Sequence, residues 1–335
     1  MIPTSEIGLH LLKPSPADQV LSDVAMPYRA VFYPLGFPVE IATNSPDVLE
    51  AAALSWGKFT HQFDVDPVVI RLGVTADPED DSLLPPAPLC RLQGHLMSHV
   101  ANQYNFVSCD LNAGFAFGWV TDQTARSTLY LRYHIIEAAA LCMLAASRAA
   151  ALHAACVSSH GYGMLLCGDS GAGKSSLAFA GARAGWSFTC DDASYLSLDR
   201  SDRLVVGNCH QFRLRDSGPI LFPELEGRPI TPRAAGKPSI EIPTEELPGI
   251  TISESATVQA IVFLNRKGIN APELISFPRE RARQWFRKSL LMTSASTALQ
   301  IEAIENLLKA PIYELRYTRL EWAIERLNQL AQQGS

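Results

Sequence analysis

The chain has 335 residues, 47% hydrophobic and 19% charged, with a formal net charge of −6. Such a composition excludes a disordered chain, and at roughly 100–200 residues per domain it suggests about two domains. The acidic balance argues against nucleic acid as a partner, because a nucleic-acid binder presents a basic face.

Seven cysteines (Cys90, Cys109, Cys142, Cys156, Cys167, Cys190, Cys209) are scattered with no C-x-x-C pair. This excludes a zinc ribbon or a secreted disulfide framework and fits reduced thiols in a cytoplasmic protein. Met1–Lys13 lacks the positive-then-apolar order of a signal peptide. The most apolar stretch, Ile135–Val157, contains Glu137, Arg148 and His153 and reads as a buried helix, so no membrane span is expected.

In chain order, Tyr28–Ala42 alternates and predicts a strand or two. Asn44–Asp47 is a turn feeding a helix through Trp56, and Pro67–Val74 is a strand. Asp77–Pro88 is acidic and proline-rich, as a surface loop is. Arg91–Val120 reads as a β-meander turning at Asn112-Ala113-Gly114. These segments make residues 1–125 a small α+β domain, assigned to recognition or regulation, and 126–335 a second domain.

Thr128–Ala149 has helical character. A strand over Leu152–Ser158 and a turn at Ser159–Gly163 follow, then a strand over Met164–Cys167 and a helix over Lys174–Ala184. Further strands are predicted at Trp186–Cys190, Tyr195–Leu198, Leu204–Val206, Ala256–Leu264 and Pro311–Arg316. Helices are predicted at Arg279–Leu291, Ser296–Leu308 and Arg319–Gln332, with a loop over Pro219–Lys237.

Gly168-Asp169-Ser170-Gly171-Ala172-Gly173-Lys174-Ser175 matches G-x-x-x-x-G-K-[ST] at every fixed position. Chance gives this pattern in roughly one per cent of chains this long. An apolar strand before it and an alanine-rich helix after it are the context the chemistry demands. Glycines let backbone N–H groups turn inward as a nest for phosphate, and the helix N-terminus adds its dipole. Lys174 then reaches the β- and γ-phosphates of ATP, and the Ser175 hydroxyl ligates Mg²⁺. Asp191-Asp192 ends the next strand. Adjacent carboxylates there also suit a solvated turn, but beside such a loop they can divide metal binding and proton acceptance.

The stretch Leu152-His153-Ala154-Ala155, Gly161–Ser175, Gly185-Trp186 and Asp191-Asp192 resembles the catalytic domain of HPr kinase/phosphorylase. Pro311–Tyr317 is similar to the last strand of HPr-kinase-related proteins. The resemblance implies an α/β fold, a P-loop kinase domain of the HPr kinase/phosphoenolpyruvate carboxykinase type. It also implies ATP-dependent phosphorylation of a serine on a protein or peptide. It places His153 near the phosphates, Lys174 and Ser175 on phosphate and Mg²⁺, Asp191 on the metal side and Asp192 as base. It leaves a homo-oligomer open. The family has Gly where this chain has Ala154 and often Glu where it has Ser176. The family's Glu-Ile-Arg-Gly segment is not found. A substrate other than HPr is therefore expected.

Weaker signals remain. His95 and His99 have the i, i+4 spacing of helical metal ligands but no third ligand. Arg228, Arg233 and Lys237 could close over a γ-phosphate, with Lys237 preferred. Arg279, Arg281, Arg283, Arg287 and Lys288 form a basic helix suited to solvent or to an acidic substrate. A nucleotide sensor or a small-molecule kinase is the alternative to a serine kinase.

Overall fold

Apolar runs such as Met164-Leu165-Leu166-Cys167 have no polar face, so a strand made from them must be covered on both sides. The fold does this. The structure, a computed structural model, describes residues 24–76, 84–231, 238–288, 290 and 296–334. It is mixed α/β with several sheets, and it divides into two units after Ser147.

The N-terminal unit holds a seven-stranded sheet, ordered β1-β2-β3-β7-β6-β5-β4. Its strands are β1 (Tyr28–Phe32), β2 (Val39–Thr43), β3 (Val68–Thr75), β4 (Leu89–Gln93), β5 (Leu96–Val100), β6 (Phe106–Asp110) and β7 (Phe115–Thr121). β4 to β7 form the expected meander, and β2, β3 and β7 run parallel. Helix Pro46–Trp56 packs on β1 and β2, and Thr128–Ser147 packs on β3 and β6. That packing places Thr128–Ser147 in the N-terminal unit. The structural division therefore falls later than the 125/126 boundary read from the sequence. The helix is long and apolar enough to cross a membrane, and 67% of its most apolar window is buried. The Asp77–Pro88 loop falls partly outside the described residues.

His95 precedes strand β5 and His99 lies within it, so the two do not share a helix. Four residues along a strand span about 13 Å, too far for one metal ion. His95 faces Asp110 at 3.8 Å, and burial lowers the His99 pKa.

The second unit is built on a ten-stranded sheet. Its strands are β8 (Ala149–Leu152), β9 (Ala154–Ser159), β10 (Tyr162–Cys167), β11 (Ser187–Cys190), β12 (Ser194–Ser197) and β13 (Leu204–Gly207). β14 (Gln211–Arg215), β15 (Ile230–Thr231) and β16 (Ser239–Pro243) make a separate three-stranded sheet. β17 (Thr251–Ile252), β18 (Ser255–Asn265), β19 (Glu273–Ser276) and β20 (Ile312–Arg316) complete the large sheet.

The single strand expected over Leu152–Ser158 is broken at His153. Residues before it pair with β12, and residues after it pair with β10 and β11. β10 lies parallel to β18, and β18 parallel to β20. β11 and β10 are each antiparallel to β9, so they point the same way. The carboxyl ends of β10, β11, β18 and β20 therefore share one sheet edge with the amino end of β9.

Alternate residues feed two cores. Met164 and Leu166 pack with Leu177 and Phe179 of helix Lys174–Arg183 and with Leu327 of helix Leu320–Gly334. Leu165 and Cys167 pack on the other face with Phe286 and Leu307, from helices Arg279–Arg287 and Thr297–Leu307. All seven cysteines are free thiols.

Trp186 locks the first layer. Its ring lies where a side chain on Gly181 would stand, which is why that helical position is glycine. Its indole Nε1 donates to Asn328 Oδ1 at 2.6 Å, an oxygen that also accepts from Ser159 Oγ at 2.8 Å. Trp186→Ala is expected to cost about 3–5 kcal/mol of stability, from lost burial plus a cavity. Urea unfolding followed by circular dichroism checks this, and a loss below ~1 kcal/mol would contradict the packing role.

Candidate active site

The glycine-rich loop follows β10 at the shared carboxyl edge, where open α/β sheets carry their ligand crevices. Gly171 and Gly173 have φ of 88° and 101°, a left-handed backbone that L side chains resist. Gly173 is also the residue before helix Lys174–Arg183, and no side chain caps that helix. Its first N–H groups have no acceptor within the helix and point out of its N-terminus. Ala172 N donates to Asp169 O at 3.0 Å, closing the loop, and the Ala172 side chain packs toward the core.

Lys174 is only 5% exposed. Its Nζ donates to Gly168 O at 2.8 Å and to Asp169 O at 3.4 Å, and it lies 3.0 Å from His153 Nε2. Burial lowers its pKa; the nearby Asp192 carboxylate acts in the opposite sense. An ammonium offers only protons, so His153 Nε2 must accept, and the imidazole proton sits on Nδ1. His153 Nδ1 faces Asp192 Oδ1 at 3.4 Å. Lys174, His153 and Asp192 thus form one polar chain. The break between β8 and β9 lets the His153 side chain leave the sheet and join it.

The two aspartates differ. Asp191 is 7% exposed, and its Oδ2 accepts from the backbone N of Arg213 at 2.6 Å, tying β11 to β14. Its carbonyl oxygen accepts from Ser175 Oγ at 3.3 Å. Asp192 is half-buried and lines a cavity of about 190 Å³. His153, Lys174, Ser175, Arg215 and Arg266 share that lining. The loop contributes Ser170, Gly171 and Gly173, and Ser176 follows them.

Arg215 and Arg266 are absent from the sequence reading. Arg215 Nη2 donates to Ser170 Oγ, and Arg266 is the first residue after β18. Its place at the end of a predicted strand was the one signal that could have found it. Arg228, proposed as a loop cation, instead pairs with Glu246 at 2.6 Å and does not line the cavity. Arg233 and Lys237 lie outside the described residues. In the basic helix, Arg283 and Arg287 are held by Glu305, and Arg281 stacks on Phe277. No group of three or more His, Cys, Asp or Glu suited to a metal occurs among the described residues.

No protein-family model and no curated protein matches the chain. Among solved structures, it is similar to the HPr(Ser) kinase/phosphatase from Coxiella burnetii, with 14% sequence identity and a TM-score of 0.32. That similarity covers 55% of this chain and 99% of the other.

Proposed function

We propose that this chain is an ATP-dependent kinase that transfers the γ-phosphoryl group to a serine hydroxyl of a protein or peptide. One observation carries the reading. A buried ammonium, seated at an uncapped helix N-terminus in a glycine-rich loop, shares a cavity with a half-buried carboxylate. The first arrangement suits a polyphosphate, and the second suits a hydroxyl proton.

In this reading the loop N–H groups and Lys174 Nζ grip the β- and γ-phosphates. Lys174 exchanges its carbonyl contacts for phosphate oxygens, which relieves its burial as a cation. Asp192 accepts the proton as the serine oxygen bonds to phosphorus and the bond to the β–γ bridging oxygen breaks. His153, presenting Nδ1 to its carboxylate, orients Asp192. ADP leaves with its new charge facing Lys174 and the helix N-terminus. Positioning and charge compensation supply most of the rate in such reactions.

Mg²⁺ fits the donors at hand, because Ser175, Asp192 and the neighbouring Asp191 offer hard oxygens. Ser175 Oγ and Asp191 would hold it, and when bound it would neutralise charge on the phosphate oxygens.

Three outcomes are expected. Lys174→Ala should weaken ATP binding roughly 10- to 150-fold by calorimetry, the worth of one charge-assisted contact. Asp192→Asn should keep ATP affinity near the parent's, yet slow transfer from γ-labelled ATP to a lysate acceptor by about 10²–10⁴. Parental ATP binding with no labelled acceptor would sink the kinase reading in favour of a sensor. Without nucleotide, Lys174→Met should melt at or above the parent's temperature, since it removes a buried charge. A clearly lower melting temperature would mean that Lys174's carbonyl contacts outweigh its burial.

A further inference from the structure

Of the cations gathered at this sheet edge, Arg266 stands apart. Arg316 is held by Glu273 at 2.7 Å and by Glu314 at 2.9 Å. Arg215 donates to Ser170. Arg266 has no carboxylate partner among the described residues.

It is nonetheless held in place. Its guanidinium carbon lies 5.6 Å from the centre of the Tyr317 ring, a cation–π distance. Tyr317 is 0% exposed and follows β20, so the surface under Arg266 is fixed by the core. The preceding residue, Asn265, is anchored too, donating to Glu314 Oε1 at 2.8 Å. A Cβ on Gly173 would lie 3.3 Å from Arg266 Cδ, 3.5 Å from its Nη1 and 2.8 Å from Tyr317 Oη. The guanidinium therefore lies against the last glycine of the loop, beside the helix N-terminus and Lys174.

The electrostatics of this placement are unfavourable without a ligand. A cation beside a helix N-terminus meets the positive end of the dipole, and Arg266 shares its cavity with two further cations, Lys174 and Arg215. Structures retain like-charged clusters where a ligand resolves them. An anion in the cavity would do so, and the planar guanidinium suits phosphate oxygens.

Resting on the kinase reading of this cavity, we infer that Arg266 is a further catalytic residue. Its guanidinium contacts the γ-phosphoryl group during transfer, and Tyr317 is the positioning residue that sets its angle. Arg266 meets the charge that builds on the phosphoryl oxygens as the group moves from ADP to the acceptor. Lys174 and the loop bind the nucleotide before and after that step. The loop glycine at 173 then serves a second purpose, leaving room for Arg266 as well as for the backbone turn.

The test compares the parent with Arg266→Gln, Arg266→Lys, Tyr317→Phe and Tyr317→Leu. Affinities for ADP alone and for ADP with aluminium fluoride, a mimic of the group in flight, are measured by calorimetry with Mg²⁺ present. Single-turnover transfer from γ-labelled ATP is followed in parallel.

Arg266→Gln should bind ADP like the parent, lose the extra affinity for the aluminium fluoride complex and slow transfer on the order of 10². Arg266→Lys should restore only part of both, because an ammonium lacks the planar fork. Tyr317→Phe keeps the ring and should match the parent, whereas Tyr317→Leu should fall toward Arg266→Gln.

Two results overturn the inference while leaving the kinase reading intact. One is parental transfer by Arg266→Gln. The other is an equal loss of ADP and ADP–aluminium fluoride binding in that variant. A parent that binds no ATP removes both.

Discussion

Burial of one ammonium group organises this site. Lys174 has given up water for two backbone carbonyls and an imidazole nitrogen, at the end of a helix whose own dipole repels it. A protein core built for stability alone would replace it with an apolar side chain. The surroundings hold it instead. Leu166 and Leu177, on either side of the loop, are fully buried in the same layer, and Trp186 pins the far end of that helix.

Topology explains why residues so far apart in sequence meet here. Parallel strands deliver their carboxyl ends to one edge, giving the loop, the aspartates, Arg266 and Tyr317. β9 runs the other way, so it delivers its first residue instead, and His153 stands just before it. An all-parallel sheet would place the histidine at the opposite edge, out of reach of Lys174. β14 then crosses above, tied down through Asp191, and brings Arg215 over Ser170. The second aspartate of the pair is thereby left to face the cavity.

The glycine-rich loop and the helix after it were legible in the sequence because their chemistry is local. Consecutive glycines, a lysine and an apolar strand carry the message within about twenty residues. The long strand at β18 and the meander of β4 to β7 were legible for the same reason, through apolar or alternating runs. The break at His153 was not. Ala149 to Ser159 contains no Gly, Pro or Asn to mark it, and only the pairing of β8 with distant β12 reveals it. β14 and β16 were missed because charged residues such as Arg213 and Glu241 interrupt short alternations, and the ion pair between them forms only on folding. Arg228 looked available in the sequence for want of any sign of Glu246. Arg266 carries only the signal of a strand end, and its approach to Tyr317 depends on two strand ends lying side by side.

The histidine joins the halves of the site through its tautomer. Nε2 must accept from Lys174, so Nδ1 must donate, and the group it faces is the carboxylate of Asp192. A protonated imidazole could not accept from the ammonium, and the other neutral tautomer would set a donor against a donor. The contact with Lys174 therefore selects the form of His153 that presents an N–H to Asp192. The tautomer is therefore set by where the ammonium sits. The position of the ammonium and the N–H that faces the carboxylate are thus linked through one ring, across the cavity they both line.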